Sequence, residues 1–329
     1  MHLKHSVKVS VVLFTYQQEL VVRESLESLI NQDYPDLQIV VSDDASTDKT
    51  WEIIEQTARQ ARPNVRLVLN RNETNLGIIG NYNRAVSLCD GDLIFSAAGD
   101  DISEVNRVHA CVELWQSTGQ TVDLIATDLS DMAFDGEVLG LKTIDDLQTW
   151  DWERWISRRP YHAGASHMVT RRLISVQPLS AKAKLEDQCL LFRALLMGGA
   201  LRLPQALVRH RRGGVSNNGE AIRTYASKRN MLIASATQGI HETDHYLSDA
   251  QILKAPVRLV KYLTQLRRDL EFTGRCLEAT SIPDRLDLMR EYGDVSIRTR
   301  LRFFLFSTFQ KFYSALFTLK AVIKDYRRH

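Results

Sequence analysis

Short apolar runs alternate with amphipathic stretches along the first 126 residues of the chain. The apolar runs are rich in β-branched residues and have the length of buried strands, at 7–14, 37–41, 65–69, 93–97 and 122–126. Apolar residues recur at helical spacing in the stretches between them, at 19–31, 50–60, 78–88 and 105–115. Strands that alternate with helices predict an α/β fold, with a mostly parallel sheet and helices on both of its faces.

The pattern becomes looser after residue 126. Three elements are predicted there: a surface helix around Trp150, Trp152 and Trp155, a strand over 165–170, and a helix over 186–197. Residues 213–219 are rich in Gly, Ser and Asn, which is typical of a loop, and the pattern beyond them is almost wholly helical. We therefore predict an α/β domain over 1–216 and a helical C-terminal region over 217–329.

Composition excludes several classes of protein. The chain has 329 residues, 44% of them hydrophobic and 25% charged, which indicates a folded globular protein. A net charge of +2 argues against a protein that binds nucleic acid by neutralising phosphates, so no nucleic-acid partner is expected. Motifs of two nucleotide-binding classes, G-x-G-x-x-G after the first strand and G-x-x-x-x-G-K-[ST], do not occur.

Cysteines and the N-terminus bear on the compartment. The four cysteines form no C-x-x-C pair and lie within apolar runs, so we expect neither a zinc site nor disulfides, and a reducing compartment. Residues 1–8 contain no apolar core, which predicts that the chain has no signal peptide. No uncharged apolar run approaches the roughly 20 residues that a membrane-spanning helix needs. A cytoplasmic protein is expected.

Acidic clusters follow the second and fourth predicted strands. Asp43 and Asp44 end the run before 50–60, and the sequence Gly-Asp-Asp at 99–101 follows the run at 93–97. Ligands of parallel sheets bind outside the carboxyl ends of the strands, and oxygen ligands suit a hard divalent cation. Both clusters therefore point to one crevice. A third pair, Glu186 and Asp187, opens a predicted helix, where acids also serve as simple caps.

Taken in order, these motifs resemble those of the family 2 glycosyltransferases, which have the GT-A fold. The resemblance covers roughly residues 7–216. Its segments are 9–16, 28–32, 39–50, 75–77, 91–92, 99–101, 186–187 and 209–216, together with Asn83 and Ala85. Each segment is common by itself, whereas the ordered set is specific to the family.

The resemblance implies a donor, an acceptor and a reaction. The donor would be a nucleotide-diphosphate sugar, in the first place a UDP-sugar, and the reaction an inverting displacement. The acceptor would be a hydroxyl of a glycan or lipid-linked glycan, in the synthesis of a bacterial surface polysaccharide such as O-antigen, capsule or lipopolysaccharide. The enzyme would work in the cytoplasm, with peripheral attachment to the inner face of the cytoplasmic membrane left open.

The resemblance also implies roles for individual residues. The nucleoside would be surrounded by Thr15, Tyr16, Glu19, Asp43 and Arg71, with Asp43 at the base. Asp100 would bind Mn²⁺ or Mg²⁺ across the diphosphate with support from Asp101, because the cation neutralises charge that develops on the leaving group. Asp187 would be the catalytic base that receives the proton of the acceptor hydroxyl.

Two departures from the family pattern affect this expectation. The family commonly has an aspartate two positions before Asp100, where this chain has Ala98, so the affinity for metal would be lower. A family Tyr-Arg-x-His run corresponds here to Val-Arg-His-Arg-Arg at 208–212. His210 would reach the metal or diphosphate, or Arg211 would neutralise the diphosphate. A surface run without function is the third alternative.

The last 30 residues predict a basic amphipathic helix. One face would carry Leu305, Phe309, Phe312, Leu316, Leu319 and Ile323. Basic residues flank or oppose that face: Arg298, Arg300, Arg302, Lys311, Lys320, Lys324, Arg327 and Arg328. Such a helix suits an anionic membrane surface. Packing against the α/β domain or against a second subunit in a homodimer is the alternative.

Two rival functions stay open on the sequence. A sugar nucleotidyltransferase has a related fold and also needs a metal, but it usually has a Gly-rich basic loop after the first strand, where this chain has Phe-Thr-Tyr-Gln-Gln at 14–18. A non-catalytic partner that keeps the fold within a glycan-assembly complex would explain Ala98. The aspartates at 43, 100, 101 and 187 argue against that second alternative.

Overall fold

A computed structural model describes residues 7–184, 186–213 and 224–326. The strands are β1 (Val9–Thr15), β2 (Leu37–Asp43), β3 (Val65–Arg71), β4 (Leu93–Ala98), β5 (Ile102–Ser103), β6 (Leu124–Met132), β7 (Val138–Lys142), β8 (His167–Thr170) and β9 (Ala200–Arg211). The first seven helices are α1 (Val22–Ile30), α2 (Thr50–Ala58), α3 (Gly77–Ser87), α4 (Arg107–Ser117), α5 (Trp152–Ser157), α6 (Arg171–Ile174) and α7 (Glu186–Leu195). Five more follow: α8 (Tyr225–Ile252), α9 (Val257–Glu278), α10 (Ile282–Glu291), α11 (Ile297–Thr308) and α12 (Gln310–Tyr326).

All nine strands form one mixed sheet in the order β3-β2-β1-β4-β8-β6-β9-β5, with β7 added beside β6. The first four strands of the chain are parallel to one another, with β1 between β2 and β4. Strand β8 is antiparallel to both β4 and β6, whereas β6 and β9 are parallel. The α/β fold expected from the sequence is confirmed.

Apolar side chains explain why β1 lies inside the sheet, between β2 and β4. Every residue of β1 except Phe14 is buried, because both faces of the strand are covered. Helix α1 contributes Val22, Leu26 and Leu29 to the same core, at the spacing of one helix face. Full burial of an aliphatic side chain of this size contributes about 1.5–3 kcal/mol. This packing holds the ends of the central strands in fixed positions.

Two expectations about single elements are wrong. The tryptophan helix is not simply a surface helix, because Trp155 has no exposed surface and packs against Phe192 with ring centroids 4.5 Å apart. The stretch around 305–323 is not one helix, because α11 ends at Thr308 and α12 begins at Gln310. The chain turns at Phe309, with φ −95° and ψ 50°.

The chain divides into two compact units. One comprises residues 1–217 with 252–254, and the other comprises 218–251 with 255–329. The boundary that the sequence predicts at 216, like the loop at 213–219, falls almost entirely outside the described residues and stays a prediction. In the second unit, Phe272, Cys276 and Leu277 of α9 form a separate apolar core with residues of α10 and α11. No helix of the described residues has the length and apolar character that crossing a membrane requires.

Candidate active site

The carboxyl ends of β3, β2, β1 and β4 bring several predicted site residues together. In the parallel register, Thr15 of β1 lies beside Asp43 of β2, and Asp43 lies beside Arg71 of β3. On the other side of β1, Phe14 lies beside Ala98, the last residue of β4. Ligands of open α/β sheets bind outside this edge. The row therefore marks the candidate binding crevice.

Asp43 is fully buried and surrounded by donors. Its Oδ1 accepts hydrogen bonds from Thr15 Oγ1 at 3.1 Å and from Ser46 Oγ at 2.5 Å, and its Oδ2 accepts one from Ser46 N at 2.9 Å. Arg71 Nε lies 3.6 Å from the same Oδ2. A carboxylate removed from water needs such donors to offset its lost hydration. A nucleobase that reaches Asp43 would have to share or replace them.

The segment after β1 is tied to the start of α2. Gln17, which has a φ of 54°, donates from its backbone N to Ser46 Oγ at 2.9 Å. The exposed Glu19 carboxylate accepts a hydrogen bond at 3.0 Å from the backbone N of Lys49, the residue before α2. The Tyr16 side chain is 44% exposed at this edge. The contacts predicted between the nucleoside and Tyr16 or Glu19 stay predictions.

Asp100 and Asp101 form the turn between β4 and β5. Asp101 is buried, and its Oδ1 accepts a hydrogen bond from Arg211 N at 2.9 Å. Burial and the neighbouring Asp100 raise the pKa of Asp101 to about 8. Burial also raises the pKa of Asp100, although His210 and Arg211 oppose that shift. Two adjacent desolvated carboxyl groups resist ionisation together, and a bound cation would relieve this.

The implied divalent cation fits this turn. Carboxyl oxygens such as those of Asp100 and Asp101 suit Mn²⁺ or Mg²⁺, and an imidazole nitrogen such as that of His210 suits Mn²⁺. Within the described ranges 7–184, 186–213 and 224–326, no group of three or more His, Cys, Asp or Glu side chains is placed to hold a metal ion. A partial protein ligand set is typical of a cation that completes its shell with substrate phosphates and water. The ligand roles stay predictions.

The Arg211 side chain supports the turn from the inside of the protein. It is 3% exposed, and its Nε donates to the carbonyl oxygen of Asp100 at 3.0 Å. Its Nη2 donates to Glu24 Oε2 at 2.7 Å, and its Nη1 donates to the carbonyl oxygen of Phe134. A diphosphate contact by Arg211 stays a prediction, and it would require the guanidinium to give up some of these bonds.

The pair Glu186–Asp187 begins α7 and lies against the segment that precedes β8. Glu186 is buried, and its Oε1 packs so closely on Gly164 that a Cβ there would lie 2.3 Å away. Asp187 is half-buried, and its Oδ1 accepts a hydrogen bond from Gln188 N at 2.6 Å. Burial and the charge of Asp187 raise the pKa of Glu186 to about 7. The two acids thus have different environments, and Asp187 has the greater access to solvent.

The start of α7 lies at the same edge of the sheet as the turn at Asp100 and Asp101. Because β8 is antiparallel to β4, the residues before β8 lie beyond the carboxyl end of β4. The contact between Ser96 Oγ and His167 Nε2, at 2.9 Å, fixes this arrangement. Arg107 Nη2 donates to the carbonyl oxygen of Ser96 at 2.9 Å from below. The row of Thr15, Asp43 and Arg71, the turn at Asp100 and Asp101, and the start of α7 therefore lie at one edge of the sheet.

This arrangement has counterparts among known proteins. A model of "Glycosyl transferase family 2" matches residues 10–166. The chain carries a family 2 glycosyltransferase domain. Residues 10–166 include all the residues predicted to contact the nucleoside, the turn at Asp100 and Asp101, and the segment that packs against α7.

Several bacterial glycosyltransferases are relatives of this domain. An uncharacterized glycosyltransferase of Nostoc sp. is 23% identical over 74% of this chain and 75% of its own length. The putative glycosyltransferase EpsE of Bacillus subtilis is 36% identical over 31% of this chain and 36% of its own length. A GalNAc(5)-diNAcBac-PP-undecaprenol β-1,3-glucosyltransferase of Campylobacter jejuni is 31% identical over 29% of this chain and 30% of its own length. The chain thus spans only about a third of several relatives.

Solved structures confirm the GT-A fold of this glycosyltransferase domain. TarS 1–349 of S. aureus in complex with UDP-GlcNAc has a TM-score of 0.55 and 16% identity, with 91% of this chain and 90% of that chain covered. The mannosyltransferase PcManGT of Pyrobaculum calidifontis, in complex with GDP-Man and Mn²⁺, has a TM-score of 0.52 at 16% identity. The match covers 96% of this chain and 88% of the PcManGT chain. At this identity the likeness concerns the fold alone.

Several residues around the candidate site carry no clear signal in the sequence. Ser46 gives two hydrogen bonds to Asp43. Gly164 admits the carboxyl of Glu186, and Asp131 lies beside His210. No local signal marked Asp131, because its relation to the site depends on the pairing of two strands that are distant in the sequence.

Proposed function

We propose that this protein is an inverting glycosyltransferase that moves a sugar from a nucleotide-diphosphate donor to an acceptor hydroxyl. The observation that carries the proposal is the convergence of three groups at one edge of the sheet. These are the row Arg71–Asp43–Thr15, the turn at Asp100 and Asp101, and Asp187 at the start of α7. A transfer reaction needs these three parts: a nucleoside site, a site for the diphosphate, and a base.

The chemistry assigns one step to each part. Asp187 accepts the proton of the acceptor hydroxyl, and the acceptor oxygen forms a bond to the anomeric carbon. The bond from that carbon to the diphosphate oxygen breaks, and the nucleoside diphosphate leaves with the electron pair. Attack on the face opposite the leaving group inverts the anomeric configuration. Asp43 and Arg71 hold the nucleoside in place, which lowers the entropic part of the barrier.

A divalent cation at Asp100, supported by Asp101 and His210, would neutralise the charge of the departing diphosphate. Mn²⁺ and Mg²⁺ both suit this ligand set. PcManGT with GDP-Man and Mn²⁺ supports a divalent cation in this fold, and TarS with UDP-GlcNAc or UDP supports a UDP-sugar as donor.

We assign the acceptor to glycans of the bacterial surface. The C. jejuni relative is named for an undecaprenol-linked glycan, and TarS is named for poly(ribitol-phosphate). A glycan or lipid-linked glycan acceptor follows for this chain, in the synthesis of a surface polysaccharide on the cytoplasmic side of the membrane. Acceptor selectivity would lie with the exposed Tyr161, on the segment that passes α7.

The test is a screen of nucleotide sugars by thermal shift with Mn²⁺, followed by assays of donor hydrolysis and transfer. A true donor at 100 times its dissociation constant stabilises the native state by about 2.7 kcal/mol and raises Tm by a few degrees. One nucleotide sugar should stand out and should be hydrolysed slowly without acceptor. If none of them binds or is hydrolysed, the chain is a non-catalytic partner and the proposal fails.

The C-terminal helices support attachment to a membrane surface. Five apolar side chains are 40–62% exposed and recur every three or four residues: Ile297, Leu301, Leu305, Phe309 and Phe312. No acidic residue occurs between Asp294 and Asp325, whereas Arg298, Arg300, Arg302 and Lys311 do. An exposed apolar stripe among cations suits an anionic bilayer. The predicted contacts of Leu319, Ile323, Lys320, Lys324, Arg327 and Arg328 lie outside the side chains that the structure describes.

The double substitution Phe309→Ser and Phe312→Ser is expected to release the protein from vesicles of phosphatidylglycerol. Sedimentation with vesicles at low salt should show that the affinity for the vesicles falls about tenfold or more. The reason is that each Å² of apolar surface no longer buried in the membrane removes about 25 cal/mol of binding free energy. Wild-type binding should weaken as salt rises. A matched control replaces Leu141 and Val257, each 69% exposed elsewhere on the protein, by serine. Equal binding by both double variants, or no binding by wild type, would make the stripe a protein interface.

A further inference from the structure

Asp131 lies beside His210 in the sheet and connects that residue to two cations. Strands β6 and β9 run parallel, with Asp131 in register with His210. Asp131 Oδ2 accepts a hydrogen bond from Arg212 Nη2 at 2.6 Å. Its other oxygen, Oδ1, lies 3.8 Å from Lys142 Nζ and also 3.8 Å from His210 Nδ1. One carboxylate is thus shared by a histidine, a lysine and an arginine.

Two atoms of this cluster are buried without a hydrogen bond. Asp131 Oδ1 and His210 Nδ1 have no hydrogen-bond partner among the described residues, although both are shielded from solvent. A buried polar atom without a hydrogen bond destabilises the folded state. At 3.8 Å the two atoms are too far apart for a hydrogen bond, but a movement of about 1 Å would bring them within range. Each atom is therefore the natural partner of the other.

His210 is the residue before Arg211, whose backbone N donates to Asp101 Oδ1 at 2.9 Å, so its backbone lies next to the turn at Asp100 and Asp101. The carboxyl groups of Asp100 and Asp131 both act electrostatically on the imidazole. Burial, with Lys142 and Arg212 near, lowers the pKa of His210. In a neutral imidazole, one of Nδ1 and Nε2 carries the hydrogen and donates, and the other accepts. A hydrogen-bond acceptor beside one nitrogen holds the hydrogen on that nitrogen and so sets the tautomer.

We propose that Asp131 is a positioning residue that accepts the Nδ1 hydrogen of His210 and thereby leaves the lone pair on Nε2 for the cation at Asp100. The proposal rests on the proposed function, because it takes that cation as given. Metal-binding histidines almost always donate their other ring hydrogen to a carboxylate or carbonyl, which fixes ring and tautomer. Since Ala98 offers no carboxylate, a histidine held in this way would supply the ligand that the turn lacks.

The first readout is the tautomer of His210 in metal-free protein. Long-range ¹H–¹⁵N spectra of histidine rings distinguish Nδ1–H from Nε2–H, and the His210 signal is assigned by its loss in His210→Gln. Wild type should show Nδ1–H. Asp131→Asn should shift the ring toward Nε2–H, because an asparagine amide can donate to Nδ1. Asp131→Glu keeps a carboxylate and should restore Nδ1–H in part.

The second readout is Mn²⁺ affinity in the presence of UDP, measured by electron paramagnetic resonance of free Mn²⁺. Asp131→Asn should weaken binding by about 10–100-fold, while the affinity for UDP without metal stays unchanged. Arg212→Gln is the matched control, because it removes the outer ion pair of Asp131 and leaves the carboxylate beside His210. That variant should keep both the tautomer and the Mn²⁺ affinity near those of wild type.

Two results would overturn the proposal. One is an unchanged His210 tautomer in Asp131→Asn, with native thermal unfolding and circular dichroism. The other is an equal loss of Mn²⁺ affinity in Arg212→Gln, which would make Asp131 a structural ion-pair residue. If wild type with UDP fails to bind Mn²⁺, the cation assigned to Asp100 is wrong, and the metal-free tautomer still decides whether Asp131 sets the ring.

Discussion

Asp187→Asn is expected to lower kcat by about two to four orders of magnitude, which is the usual effect of removing a general base. The amide keeps the shape of the side chain but cannot accept the acceptor proton. Donor affinity should stay near that of wild type, because Asp187 lies on α7, away from the row of Thr15, Asp43 and Arg71. Steady-state turnover and calorimetric binding of UDP, measured on the same preparation, check both halves.

Glu186→Gln is the matched control for this experiment. Glu186 is the sequence neighbour of Asp187. The Glu186 carboxyl is buried against Gly164 and its pKa is raised to about 7, so Glu186 is poorly placed to contact an acceptor. Its amide should keep most of the wild-type turnover. Loss of turnover in Glu186→Gln with near-normal turnover in Asp187→Asn would exchange the two roles. Normal turnover in both would remove α7 from the mechanism.

Asp100→Ala is expected to abolish the gain in UDP affinity that Mn²⁺ gives to wild type. That gain should be about 10–100-fold, equivalent to about 1.4–2.7 kcal/mol, because a cation bridges the carboxylate and the diphosphate. Isothermal titration of UDP with and without Mn²⁺ measures it directly. The fold should persist, since Arg211 binds the backbone of Asp100 rather than its side chain.

A matched control for Asp100→Ala is available at the opposite edge of the sheet. Asp90 precedes β4 and forms an exposed ion pair with Arg66, so Asp90→Ala removes an aspartate far from the crevice. It should leave the Mn²⁺ effect intact. A Mn²⁺ effect of normal size in Asp100→Ala would show that Asp100 is not the principal metal ligand.

The first half of the fold could be predicted because its signals are local. Strands β1, β2 and β4 are buried on both faces, so each is a compact apolar run with a helix after it. Parallel pairing then dictates that residues at the carboxyl ends, such as Thr15 and Asp43, become neighbours. The shared edge of Thr15 and Asp43 therefore follows from the order of the strands alone, without any side-chain contact.

Strand β9 could not be predicted from its own residues. It contains Pro204, which cannot donate to a neighbouring strand. The structure accommodates it at an irregularity, where Thr127 pairs with Leu203 and the next residue, Asp128, pairs with Ala206. The partners of β9 also lie 70 or more positions earlier, at β6 and β5, so no short period reveals them. The roles of Arg211 and Asp131 stayed hidden for the same reason.

The hydrogen bond from Arg211 to Asp101 has a consequence for how the molecule acquires its site. These residues are 110 positions apart, so the bond closes one of the long loops of the domain. Contacts between distant residues form late in folding, because closing the long loop between them costs chain entropy before the contact itself stabilises the fold. During synthesis, the acidic turn emerges long before the strand that braces it. Asp100 and Asp101 therefore lack the hydrogen bonds from Arg211 until residue 211 has left the ribosome.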